Sequence, residues 1–138
     1  MKQPQINREQ LVAEAVQARE NAYAPYSNYR VGAAVLTGDG RIFSGVNVEN
    51  AVYPLCICAE RVAIAKAVSE GARRIVALAV VTANGGTPCG SCRQVIREFG
   101  APETPILIAK PDGSYRERTL DDLLPESFSA ADLGRESE

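Results

Sequence analysis

Arg74-Ile75-Val76-Ala77-Leu78-Ala79-Val80-Val81-Thr82 reads as a buried β-strand, and the rest of the chain arranges itself around it. Its centre, Ile75 to Val81, is the longest apolar run in the sequence. The run falls well short of the roughly 18 residues a membrane span requires, and its β-branched content favours a strand over a buried helix. After it come a helix from Gly90 to Phe99 ended by Gly100, a strand from Pro105 to Ala109 and an edge strand from Tyr115 to Arg118. A short helix, Leu120 to Leu124, stops at Pro125. Before it, a helix from Cys58 to Glu70 has Gly71 at its C′ position and a stripe of Val62, Ala63, Ala65 and Val68. Strands are expected over Arg30–Thr37 and Arg41–Val48, joined by Gly38-Asp39-Gly40. The segment Ala24 to Asn28 is a loop. An amphipathic helix spans Asn7 to Asn21, with Asn7 as N-cap, Gln10 at the capping-box position and Ile6 stapling Leu11. The order α-β-β-α-β-α-β-β-α implies an α/β fold, one mixed five-stranded sheet flanked by helices.

The 138 residues suit a single domain over 1–138, with frayed ends expected at about 1–5 and 131–138. A net charge of −2 and a pI near 5.3 disfavour a strong grip on a phosphate backbone, so no nucleic-acid partner is expected. Met1 to Gln5 is polar and lacks the apolar centre of a secretory signal. No membrane association is expected, and the cytoplasm is the expected compartment. There, Cys-x-x-Cys reads first as metal or redox chemistry rather than as a disulfide.

The chemistry concentrates in Cys58-Ala59-Glu60 and Pro88-Cys89-Gly90-Ser91-Cys92. The chain has no histidine, so any transition metal must be held almost entirely by thiolates. Three sulfur ligands suit Zn²⁺ and leave one position open, the pattern of a catalytic rather than a structural site. Glu60, two residues from the first thiolate, is placed to move protons. Both cysteine clusters sit at expected helix starts, where free N–H groups and the helix dipole favour thiolate over thiol. Three thiolates on one Zn²⁺ still total −1. Arg61 and Arg93 each follow a member of the cluster and are candidates to offset that charge; exposed helix-surface arginines are the alternative. Cys56 as a fourth ligand would close the site, but a spare thiol in an apolar pocket fits its place ahead of the helix start better. The plain alternative for all four is that they are small buried hydrophobes.

Together these residues carry the zinc-deaminase signature, Cys-x-Glu followed by Pro-Cys-x-x-Cys. The chain also resembles the short, homotetrameric cytidine deaminases over nearly its whole length. The resemblance rests on Tyr26-Ser27-Asn28-Tyr29-Arg30-Val31-Gly32-Ala33-Ala34, Asn47-Val48-Glu49-Asn50, Cys92-Arg93-Gln94-Val95 and Leu123-Leu124-Pro125-Glu126-Ser127-Phe128. It implies a single-domain three-layer fold with one zinc ion per subunit on Cys58, Cys89 and Cys92, and Glu60 as proton shuttle. It further implies that Asn47 and Glu49 bond the ribose hydroxyls, and that Tyr29, at a position usually Phe, packs beside the nucleoside. Phe128 would stack on the base from a neighbouring subunit, so the active site is completed in the tetramer. The implied reaction is hydrolytic deamination of cytidine and deoxycytidine in pyrimidine salvage.

Without the resemblance, Asn47, Glu49 and Asn50 also read as the polar end of a strand. Rival functions keep the fold but change the substrate, to blasticidin S, deoxycytidylate or a base within nucleic acid. Others make the zinc structural in a binding module, or make Cys89 and Cys92 a thioredoxin-like redox pair. The last leaves Cys58-x-Glu60 without a purpose.

Overall fold

The computed structural model describes residues 3–135. At its centre lies the strand β3 (Ile75–Val81), every residue of which is buried. The mixed five-stranded sheet runs β2-β1-β3-β4-β5. In it β1 (Gly32–Thr37) pairs antiparallel with both β2 (Ile42–Val46) and β3. The central strand pairs parallel with β4 (Pro105–Ala109), which pairs antiparallel with β5 (Tyr115–Thr119). Parallel neighbours need a crossover, and α3 (Gly90–Phe99) supplies it. Helix α1 (Arg8–Arg19) covers one face through Leu11, Val12 and Ala15, packed on Ala34, Leu36, Ala77, Ala79 and Leu107. Helices α2 (Ala59–Ser69) and α3 cover the other through Ala59, Ala63, Ile64, Ala67 and Ile96, on Ala33, Val35, Leu78, Val80 and Ile106. The element order predicts this mixed sheet flanked by helices, and the three layers are those the resemblance implies.

Two glycines set how closely the helices approach. A Cβ on Gly32 would stand 2.2 Å from the Ala15 carbonyl oxygen of α1. On Gly45 it would stand 2.5 Å from the Ala63 nitrogen and 2.7 Å from the Ala59 oxygen of α2. The absence of a side chain at Gly45 thus seats on the sheet the helix that begins beside Cys58.

Several boundaries differ from expectation. The first helix ends at Arg19, and its N-cap Asn7 accepts from the Gln10 amide at 3.1 Å. The hairpin strands are shorter than 30–37 and 41–48, because beyond Val46 the chain leaves the ladder. There the Asn47 side chain bonds backbone groups of Tyr29 and Val31, while Val48 bridges Tyr23 and Ile57. A 3₁₀ turn at Tyr53–Leu55, with Pro54 in its first turn, was not foreseen. Helix α4 (Leu120–Leu123) opens on a reciprocal capping box between Thr119 and Asp122. The tail forms another 3₁₀ turn at Ala130–Leu133, again boxed, by Ser129 and Asp132. Of the ends expected to fray, residues 1–2 and 136–138 lie outside the described residues.

Candidate metal and active site

Cys58 is the N-cap of α2, and Cys89 the N-cap of α3. Cys92 follows in the first turn of α3 and is fully buried. The two helix starts converge so that the Cys58 and Cys89 sulfurs stand 4.0 Å apart and those of Cys89 and Cys92 3.5 Å apart. All three lie within 4.8 Å of one another. Tetrahedral zinc with Zn–S bonds of about 2.3 Å needs sulfur separations of about 3.8 Å, so the donor set fits that ion in both chemistry and spacing. Cys56 stands outside the group; its sulfur accepts the Asn50 amide at 3.2 Å.

Charge in the cluster is unevenly held. A hydrogen bond from the Cys92 thiol, then the nearby Arg61 guanidinium, bring Cys58 down to about 5. Cys92 is pushed up, by the proton it donates to Cys58 and by burial. Arg61 Nη2 lies 3.8 Å from the Cys58 sulfur, one helical turn along, while its Nε is buried with no acceptor. The other candidate arginine serves differently. Arg93 donates to the Pro88 carbonyl at 2.7 Å, to Thr87 Oγ1 at 2.9 Å and to the Leu123 carbonyl at 2.7 Å. It therefore fixes the approach to Cys89 and ties it to α4. Sequence adjacency to Cys92 did not reveal this, because on a helix the next residue faces another side.

Cys58 and Cys89 open onto a cavity of about 270 Å³ whose wall includes Glu60, Asn47, Glu49 and Tyr29. Glu60 is 4% exposed, and burial, helped by the Cys58 charge, pushes its carboxyl up to about 7. A carboxyl titrating there both takes and gives protons near neutrality. Asn47 and Glu49 line the cavity but are also committed to the protein. Asn47 Nδ2 donates to the Tyr29 carbonyl at 2.8 Å, and its Oδ1 accepts the Val31 amide at 2.9 Å. Glu49 accepts the Tyr26 and Ser27 amides at 2.9 and 3.0 Å as well as the Ser27 hydroxyl. These donors, the hydroxyl first, hold its carboxylate below the usual range. Each side chain keeps hydrogen-bonding capacity beyond these contacts. Both thus brace the loop 23–31 as well as facing the cavity.

Sequence reasoning missed Thr82 and Thr87, which line the same cavity, and Ser27, which meets Glu49. Thr82 carried a usable signal, being the first polar residue at the carboxyl end of the central strand, where α/β sheets place their sites. Phe128 lies apart from this cavity. The residue is 56% exposed, and its carbonyl is held by Gln94 Nε2 at 2.7 Å.

The chain is similar to known proteins over most of its length. Residues 5–108 match the cytidine and deoxycytidylate deaminase zinc-binding region. A cytidine deaminase of Halalkalibacterium halodurans is 48% identical over 93% of this chain and 98% of its own length. One from Mycobacterium tuberculosis is 45% identical over 96% of this chain and 98% of its own. The crystal structure of cytidine deaminase from Burkholderia pseudomallei superposes with a TM-score of 0.83 at 46% identity, covering 89% of this chain and all of that one. The chain belongs to the zinc-binding cytidine and deoxycytidylate deaminase family.

Proposed function

We propose that this protein hydrolytically deaminates cytidine and deoxycytidine to uridine and deoxyuridine, with one zinc per subunit held by Cys58, Cys89 and Cys92. The observation that carries the reading is a group of three converging cysteine sulfurs, with Cys58 and Cys89 of that group on the same cavity wall as the buried Glu60. Zinc at that site supplies Lewis acidity, which activates water as a nucleophile near neutral pH. Glu60 takes one proton from the attacking water and passes it to N3 of the cytosine ring, making C4 electrophilic. A bond forms between C4 and the water oxygen. Glu60 then carries the remaining hydroxyl proton to the amino nitrogen. The C4–N bond breaks, ammonia leaves and a C4 carbonyl remains. Asn47 and Glu49 bind the sugar with the bonding capacity the loop leaves them, and Tyr29 packs beside the nucleoside. Arg61 offsets the charge of the thiolates, and Arg93 holds the Thr87-Pro88 approach to Cys89.

Apart from the thiols, the charged residues along this cavity are Glu49 and Glu60, both acidic, which favours a nucleoside over deoxycytidylate. Blasticidin S is the remaining substrate alternative. The proposed working form is a homotetramer in which Phe128 of one subunit completes a neighbour's site; its support is an exposed aromatic on a tail that α3 holds in place. Cytoplasmic pyrimidine salvage is the setting proposed. Among the described residues, no helix is long and apolar enough to cross a membrane. The test is to follow the ultraviolet change of cytidine, deoxycytidine, deoxycytidylate and blasticidin S with the zinc-loaded protein. Turnover of the first two is expected. Zinc bound with no turnover of any of the four would overturn the reading in favour of a structural metal.

A further inference from the structure

The loop from β3 to α3 is clasped at both ends. At its far end, Arg93 grips Thr87 and the Pro88 carbonyl immediately before Cys89. The near end is gripped from across the cavity. The Tyr29 hydroxyl donates to Asn84 Oδ1 at 2.8 Å. The Thr82 hydroxyl donates to that same oxygen at 3.2 Å and accepts the Gly86 amide at 2.7 Å. Three donors are thereby linked through one amide oxygen and one hydroxyl, an arrangement in which each bond polarises the next.

Both partners in this clasp are shaped for it. Tyr29 is a stiff arm, since its amide donates to Ser27 Oγ at 3.0 Å and its carbonyl accepts Asn47 Nδ2 at 2.8 Å. Gly86 leaves room for the phenol; a Cβ there would stand 2.6 Å from the tyrosine oxygen. The gripped segment contains Gly85, at φ 74°, beside Gly86, so without a tether it has wide backbone freedom. Tyr29, Thr82 and Thr87 all line the substrate cavity, so the tether spans that cavity's own wall.

We propose that the Tyr29 hydroxyl is a positioning group that latches the Thr82–Thr87 side of the cavity to the Tyr29 side, preorganising it for the nucleoside. The inference rests on the nucleoside reading above. The two clasps divide the labour. Arg93 governs the metal-ligand end and hence the chemical step, whereas Tyr29 governs the fit of the cavity and hence binding. Loss of uniform binding raises KM and leaves kcat nearly intact.

The test is Tyr29→Phe, which keeps the ring and removes one hydroxyl, beside Asn84→Ala and the double variant. Each single variant should raise KM for cytidine about three- to tenfold, the scale of one lost hydrogen bond, with kcat within twofold and zinc content unchanged. Amide exchange at Gly86 should quicken, and the double variant should be no worse than either single. Gly86→Ala, by displacing the phenol, should match Tyr29→Phe and add nothing to it. Independent, additive effects of Tyr29→Phe and Asn84→Ala would overturn the latch. So would a KM within twofold of the parent, or loss of kcat together with zinc. If the parent protein turns over no nucleoside, the functional reading fails, and Gly86 exchange alone then judges the latch: unchanged exchange in both variants sinks it.

Discussion

At the scale of the residue, Glu60 shows how one environment sets one chemistry. The carboxylates of Glu49 and Glu60 face the same cavity, yet their surroundings drive them in opposite directions. Glu49 is fixed as an anion by the Ser27 hydroxyl and two amides, while burial lifts Glu60 to about 7. Only Glu60 is therefore poised to exchange protons near neutrality. Glu60→Ala is expected to keep its zinc, because no ligand is touched, and to lose roughly 10²–10⁴-fold in kcat, the usual span of acid–base assistance. Metal analysis beside steady-state kinetics checks both halves. Near-parental turnover in the zinc-bound variant would remove Glu60 from the reaction. The Cys-x-Glu spacing made this residue conspicuous in the sequence, since a thiolate at a helix start and a glutamate in its first turn share one end of that helix. What the spacing did not carry was the second employment of Asn47 and Glu49. Their partners, Val31 and the Tyr26-Ser27 amides, are backbone groups some 16 to 23 residues away, and backbone donors leave no mark on side-chain identity.

At the scale of the element, the site depends on how α2 and α3 meet the sheet. Cys58 and Cys89 cap different helices, so their sulfurs converge only if both helix axes are held in place. Gly45 does this for α2. Gly45→Ala would push a methyl to 2.5 Å from the Ala63 nitrogen, and backbone cannot swing aside as a side chain can. The variant should lose about 1–3 kcal/mol of stability in urea denaturation, the range for overpacking. Its zinc affinity should fall as well, because the displaced helix carries Cys58. An unchanged unfolding midpoint with unchanged zinc affinity would show that the close approach is not needed. Elements were legible wherever local rules dominate: α3 falls at Gly90–Phe99 and β4 at Pro105–Ala109, as their apolar pattern and end signals required. Legibility failed where tertiary contacts decide. The strands flanking the hairpin stop short because the Asn47 side chain takes over from the ladder, and Tyr53–Leu55 turns although little in its composition demands a helix.

At the scale of the whole molecule, the open question is what meets Phe128. An aromatic residue more than half exposed gains little from water, yet the segment bearing it is tethered. Gln94 holds the Phe128 carbonyl, and Arg97 Nε donates to the Ser127 hydroxyl at 3.0 Å. Tethering costs conformational entropy, which burial of the ring against a neighbouring subunit would offset. In the proposed tetramer each site draws Glu60 from one chain and Phe128 from another, and this makes a complementation test decisive. Phe128→Ala weakens every site it should have completed, and Glu60→Ala silences every cavity it builds. Mixed oligomers of the two contain some cavities with an intact Glu60 facing an intact Phe128. For random 1:1 assembly, about a quarter of the parental sites should reappear at low cytidine concentration, provided each cavity takes one Phe128 from one neighbour. Co-expression with distinct tags, isolation of doubly tagged oligomers and assay below KM give the measurement. If each chain instead completes its own site, the mixture can never exceed the sum of its two parents, and Phe128 then has no role across the interface.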